Sequence, residues 1–213
     1  VTWLFDYDLT LYGHDEADVL WSLDRNITRF LMQRFAWSEA TADEFRKGYC
    51  AQFGTTLGGL RALHGVTPTE YFDFIHAGET LLQPKFEPWR RELLLALPGT
   101  RWVFTNARRD WAERGLQSMQ IQDCFAGILD IESFAWDSKP SPSVYAEVEI
   151  RMKEKGSQLI LLDDKPDNLQ PALALGWRTV LVHPQCEQMQ VECTAKIKHL
   201  VELPQIFSKL LTE

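Results

Sequence analysis

Five short runs of branched and aromatic residues punctuate the chain: Val1 to Phe5, Arg101 to Phe104, Gly127 to Leu129, Gln158 to Leu162 and Arg178 to Val182. Most are apolar at consecutive positions, which predicts strands covered on both faces, not the alternating strands of a half-solvated sheet. The stretches between the last four carry helical spacing. Ser141 and Pro142 start one helix, Tyr145, Val148 and Met152 lie along it, and Gly156 supplies its stop. Gly176 closes the next helix just before the last strand. Strands and helices alternating in this way predict a parallel sheet.

Between the first two strands the pattern changes, because about 95 residues intervene where a simple crossover needs roughly a dozen. Leu20, Leu23, Ile27, Phe30, Leu31 and Phe35 recur at three-to-four spacing, as do Phe45, Tyr49 and Phe53. Thr67, Pro68 and Glu70 form a capping-box start ahead of Tyr71, Phe72 and Ile75. No strand signal occurs in this interval. The expected fold class is therefore α/β: a Rossmann-like parallel sheet core from residues 1–12 plus 85–213, with an inserted all-helical subdomain over 13–84. Internal repeats, low-complexity tracts and charge runs are absent from the sequence.

Composition narrows what this architecture does. A chain of 213 residues with 45% apolar and 24% charged side chains can build a core and is not intrinsically disordered. Its 22 Lys plus Arg against 30 Asp plus Glu give a net charge of -8, which repels polyanions and excludes a nucleic acid polymer as the expected partner. A small anion remains compatible, since one lysine or a bound metal makes a site locally cationic. Cys50, Cys124, Cys186 and Cys193 contain no CxxC pair and read as reduced thiols. No apolar run reaches the roughly 18 residues of a membrane span, and Asp6 and Asp8 arrive too early for a signal-peptide core. The expectation is a cytoplasmic protein with no membrane partner.

The strongest polar signals each follow a proposed strand, and in a parallel sheet the carboxyl ends of all strands meet at one edge, where ligands bind. The first strand runs into Asp6-Tyr7-Asp8-Leu9-Thr10, the second into Thr105-Asn106 and the fourth into Asp163-Asp164, while Lys139 precedes Pro140 at a helix start. Carboxylates gathered in low dielectric need a counter-charge, and a hard cation with oxygen ligands, Mg²⁺ best of all, supplies it. With metal and lysine neutralising it, Asp6 becomes a nucleophile toward phosphorus. Asp8, two residues on, offers its backbone carbonyl to the metal and its side chain for proton transfer. With 14 Asp and 14 Thr in the chain, an Asp-x-Asp-x-Thr match arises by chance about 0.06 times; its order with the other blocks is what makes it specific.

These four blocks, in this order, resemble motifs I to IV of the haloacid dehalogenase (HAD) superfamily of phosphohydrolases, and the resemblance spans essentially the whole chain. It implies that Asp6 is the nucleophile, Asp8 the general acid and base, and Thr10 a support for their loop. Thr105 and the Asn106 backbone would hold phosphate, and Lys139 would neutralise Asp6 and the transferring phosphoryl group. Asp163 and Asp164 would complete the Mg²⁺ site with Asp6 and Asp8. The helical insert implies a C1 cap that closes over substrate. Within the superfamily, Phe5 to Tyr12, Tyr49 to Leu60 and Trp102 to Ala107 are similar to the pyrimidine 5'-nucleotidase group, while Leu161-Leu162-Asp163-Asp164 departs from the Gly-Asp form of motif IV common elsewhere. The implied activity is a Mg²⁺-dependent phosphomonoesterase working on a small phosphorylated metabolite through an aspartyl-phosphate, with pyrimidine nucleotides first and pyridoxal phosphate, phosphoglycolate or a sugar phosphate as alternatives.

Other readings stay open at this level. A phospho-accepting signalling module also combines Asp, a hydroxyl and Lys, but lacks so large an insert. A metal-free dehalogenase has no use for Asp8, and a catalytically dead relative would not keep every motif residue. Tyr49 is a candidate to stack on a base, although aromatics at a spacing of four mostly pack within a helix. Arg108 and Arg109 follow Asn106 closely enough to reach substrate, or else lie on a solvated helix face. The five histidines show no zinc spacing.

Overall fold

The computed structural model describes residues 1–78 and 80–211. Its strands are β1 (Thr2–Phe5), β2 (Thr100–Phe104), β3 (Gly127–Leu129), β4 (Leu159–Asp163), β5 (Arg178–Val182) and β6 (Ala195–Ile197). Among the described residues they form one six-stranded sheet in the order β3-β2-β1-β4-β5-β6, with every pairing parallel. The helices are α1 (Asp18–Phe35), α2 (Glu39–Phe53), α3 (Thr56–His64), α4 (Pro68–Ile75), α5 (Pro88–Ala96), α6 (Arg109–Ser118), α7 (Pro142–Met152), α8 (Pro166–Ala174) and α9 (Phe207–Leu211). The chain divides into two compact units, Val1–Glu16 with the chain from Pro84 onward, and Ala17–Gln83.

The sheet unit is a parallel sheet buried on both faces. Leu4 points to one side and joins Phe104, Leu161, Leu169, Tyr145 and Trp177 in a single apolar cluster. Trp3 and Phe5 point to the other, where Phe5 meets Phe125 edge-on and Trp3 meets Phe207. This double burial is why β1 reads as a continuous apolar run. β6 escapes that pattern because it is an edge strand: Ala195 and Ile197 are buried, while Lys196 between them is partly exposed and donates to the Met189 carbonyl at 2.7 Å. α7 stops at Met152, short of the expected Gly156, because Lys153 itself takes the left-handed conformation (φ 57) that ends the helix. Gly156 opens a separate turn.

The helical unit is built by caps and close contacts. Ser38, Thr55 and Thr67 each accept a backbone N–H at the start of α2, α3 and α4. Buried Asn26 on α1 donates to the carbonyls of Ile75 and Ala77, tying α1 to the end of α4. The sequence pattern gave no sign of α3, since Gly58 and Gly59 weaken a helix. Gly59 is needed there: a Cβ at this position would collide with the Tyr49 ring.

Where the chain leaves the sheet unit and returns to it, one buried ion pair joins the two passages. The Arg90 guanidinium, 1% exposed, donates to Glu16 Oε1 at 2.7 Å and to the Lys85 carbonyl at 2.8 Å, and Glu16 Oε2 accepts the Lys85 N–H at 2.6 Å. Removing one partner strands the other charge in the interior. Arg90→Met should therefore destabilise the fold by about 3 to 5 kcal/mol, read as a lower urea midpoint by circular dichroism. A loss below about 1 kcal/mol, the worth of an exposed pair, would show that these charges are solvated.

Candidate active site

Strand order decides what meets at the sheet edge. β2, β1 and β4 are neighbours and parallel, so the residues that follow them emerge side by side: Thr105 after β2, Asp6 after β1, and Asp163, the last residue of β4, with Asp164. The ladder continues just beyond the strands, where the Asp6 N–H donates to Leu162 O and the Thr105 N–H to Leu129 O, both at 2.9 Å. The two carboxyls and the hydroxyl are thus held by rigid backbone and not by loops alone.

Lys139 reaches into this edge with its side chain 1% exposed and spends all three ammonium protons. Nζ donates to Asp6 Oδ1 at 2.8 Å, to Asp163 Oδ2 at 2.6 Å and to the Phe104 carbonyl at 2.8 Å. Burial pulls its pKa down, but Asp163 and Asp6 outweigh that and hold the ammonium above its usual range. Asn106 places it: Nδ2 donates to the Lys139 carbonyl at 2.9 Å and Oδ1 accepts the Lys139 N–H at 2.8 Å. The side chain of Asn106 is therefore a latch for lysine, a role that residue type and spacing did not announce.

Asp6, Asp163 and Asp164 are all buried, and one carboxylate oxygen from each lies within 4.8 Å of the others. One ammonium faces three carboxylates. Burial pushes Asp6 up to about 7, with Lys139 pulling back and Asp163 and Asp8 adding to the rise. Burial likewise drives Asp164 well above the ordinary carboxylate range, assisted by Asp163 and Asp6. A divalent cation with a preference for oxygen would relieve both, so the donor set fits Mg²⁺.

The three carboxyls are not equivalent. Asp163 is fully buried and accepts from Lys139, from the Lys165 N–H at 2.9 Å and from Asn168 Nδ2 at 2.9 and 3.0 Å. Asn168 is a site residue that sequence reading passed over inside a polar turn; an amide five positions after Asp163, in the first turn of the next helix, was the available signal. Asp164 has His14 beside it, with Nε2 3.9 Å from Oδ2, and His14 in turn meets the His183 ring at 4.5 Å. Burial and His183 hold His14 below the usual histidine range.

Asp8 stands outside the carboxylate cluster. Its Oδ1 accepts from Tyr12 Oη at 2.5 Å and from Trp111 Nε1 at 3.1 Å. Thr10 Oγ1 lies 3.5 Å from Asp6 Oδ2, and Thr105 Oγ1 accepts the Ala107 N–H at 3.0 Å. Arg108 pairs with Asp110, and Arg109 donates to the Ile128 carbonyl at 2.8 Å. Tyr49 is 5% exposed, rests on Gly59 and is bounded by Phe45 and Phe53, while its hydroxyl bonds His64 Nε2 at 2.6 Å. In this position the ring packs the helical unit.

Comparison with known proteins bears on the whole chain. Residues 4–176 match the family model of haloacid dehalogenase-like hydrolases. Phosphate metabolism protein 8 of Saccharomyces cerevisiae is 23% identical over 193 residues, 83% of this chain, and the chain spans about 60% of that relative's length. A HAD phosphatase from Thermococcus onnurineus shares the fold at TM-score 0.66 and 16% identity, covering 98% of each chain. A 2-haloacid dehalogenase from Pseudomonas syringae pv. Tomato DC3000 shares it at TM-score 0.63 and 20% identity, again over 98% of each.

The raised carboxyls make stability depend on pH and cation together. Asp6 titrates near 3.8 when unfolded and near 7 when buried, so between those values the folded state holds the extra proton and stability falls as pH rises. A cation removes the cause. At a concentration 100-fold above Kd, Mg²⁺ should raise Tm by about 5 to 10 °C at pH 7.5 and by clearly less at pH 5, as followed by calorimetry. Equal shifts at both pH values would mean that the cation binds elsewhere.

Proposed function

This chain belongs to the haloacid dehalogenase-like hydrolases, and from that premise we propose that it is a phosphomonoesterase in which Asp6 attacks phosphorus. The observation that carries the reading is the Asp6–Lys139–Asp163 cluster with Asp164 beside it: a carboxylate at the sheet edge, held in place by a buried ammonium, in a group one divalent cation short of neutrality. Asp6 and Asp164, with the Asp8 backbone carbonyl, would hold Mg²⁺, while Asp163, already accepting from three groups, belongs to the metal site mainly by its charge. When bound, the metal supplies the positive charge that lets a phosphate dianion approach a carboxylate.

The chain's own residues account for the rest. Lys139 neutralises Asp6 and the transferring group, and Thr105 with the Asn106 backbone receives phosphate oxygens. Asp6 forms a bond to phosphorus as the ester P–O bond breaks, and the leaving oxygen takes a proton from Asp8. Asp8 then accepts a proton from the water that releases phosphate and restores Asp6. Asp8 also separates this chemistry from the carbon–halogen chemistry in the family's name. A halide departs without a proton, whereas an alkoxide does not.

For substrate we infer a small phosphorylated metabolite, pyrimidine 5'-mononucleotides first, supported by the resemblance of Phe5 to Tyr12, Tyr49 to Leu60 and Trp102 to Ala107 to that group of enzymes. A reducing, cytoplasmic setting accords with four unpaired cysteines, and no helix among the described residues is long and apolar enough to cross a membrane.

Asp6→Asn should abolish phosphate release with the circular dichroism spectrum unchanged, and Asp8→Asn should cost about 10² to 10⁴-fold. Excess EDTA should stop turnover. Full activity in EDTA, or in the Asp6 variant, would overturn the mechanism. UMP and CMP should lead a panel containing pyridoxal phosphate, phosphoglycolate and sugar phosphates; another winner would move the substrate and leave the chemistry in place.

A further inference from the structure

Asp8 is held by a device that the four motifs do not contain. Trp111 on α6 and Tyr12 are both completely buried, and both donate to the same oxygen, Oδ1. The surrounding packing keeps them there. Tyr12 meets Tyr7 edge-on at 5.3 Å, and the Tyr7 hydroxyl lies so close to Gly115 of α6 that any Cβ at that position would collide with it. α6 is thus seated directly on the loop that carries Asp6 and Asp8.

The two donors differ in kind. A phenol hydroxyl can turn and accept, but an indole N–H only donates. With Trp111 and Tyr12 both donating to it, Oδ1 is held as the acceptor oxygen, and a proton on Asp8 is favoured on Oδ2, where neither of these hydrogen bonds has to be given up. We propose that Trp111, assisted by Tyr12, is a positioning residue for general acid catalysis: it fixes which oxygen of Asp8 delivers the proton to the leaving group. This rests on the phosphatase reading above. In the step concerned, Asp6 bonds to phosphorus, the ester P–O bond breaks with its electron pair on the leaving oxygen, and the Oδ2 proton moves to that oxygen.

The test uses leaving groups that differ in their need for a proton. A nitrophenolate departs without one, whereas the alkoxide of a nucleoside does not. Trp111→Phe, which keeps a ring in the core, should lower kcat/KM for UMP about 10- to 100-fold and for p-nitrophenyl phosphate less than about 3-fold, since general acid catalysis is worth 10²- to 10⁴-fold in all. Tyr12→Phe should show the same selectivity and carries the test if the Trp111 variant does not fold. In an Asp8→Asn background, Trp111→Phe should add no further loss, because it acts through Asp8. Equal losses on the two esters, or a full extra loss in the Asp8→Asn background, would overturn the proposal and leave Trp111 as packing. If another alkyl phosphate leads the panel it takes the place of UMP in this comparison; a wild-type chain that releases phosphate from no ester of the panel would overturn the phosphatase reading, and this inference with it.

Discussion

An ammonium with almost no solvent contact survives in the interior only if what surrounds it replaces every hydrogen bond and the charge stabilisation that water gave. Lys139 meets that condition through Asp6, Asp163 and the Phe104 carbonyl, and the rest of the sheet edge follows from it. Asp6 and Asp163 must come from adjacent parallel strands to face one nitrogen, which sets β1 against β4. The Phe104 carbonyl must come from the other neighbour, β2. Asn106, one residue past Thr105, bonds both polar backbone groups of Lys139 and so fixes where its side chain starts.

The same requirement leaves the site unbalanced by design of its donors. Asp163 is saturated by Lys139, Lys165 and Asn168, so its charge is committed to structure. Asp164 and Asp6 carry the remainder, and burial makes that remainder costly until a cation or a proton arrives. An environment that is expensive for a carboxylate alone becomes favourable for a carboxylate, a divalent cation and a phosphate together. The electrostatic strain of the resting site and its proposed chemistry have one origin.

The carboxyl proposed for proton transfer sits apart from the charged cluster. Asp8 lies outside the carboxylate cluster, and its partners are the neutral donors Tyr12 and Trp111. Two carboxyls separated by one residue thereby acquire different surroundings. One is paired with an ammonium and is the proposed nucleophile, and the other is held by a phenol and an indole.

Much of this was legible along the chain. Strands buried on both faces leave unbroken apolar runs, and a parallel sheet sends the residues after them to one edge, so Asp6, Thr105, Asp163 and Asp164 could be grouped from the sequence, with Lys139 joined to them by the resemblance of the four blocks to a known family. Thr67 and Pro68 marked the start of α4 because a cap is a local event. What stayed hidden depended on partners far away in sequence. An edge strand such as β6 needs only one buried face, Gly59 is explained only by the Tyr49 ring against it, and Tyr49 itself could be placed among packing residues only once its neighbours were known. Asn106 and Asn168 are ordinary turn residues until Lys139 and Asp163 stand beside them. Residue types and order determined the chemistry this chain can perform, because strand direction brings those residues together. Tertiary structure alone decided how each carboxyl is used, because a hydrogen bond such as that from Trp111 to Asp8 spans 103 positions and leaves no mark on either local sequence.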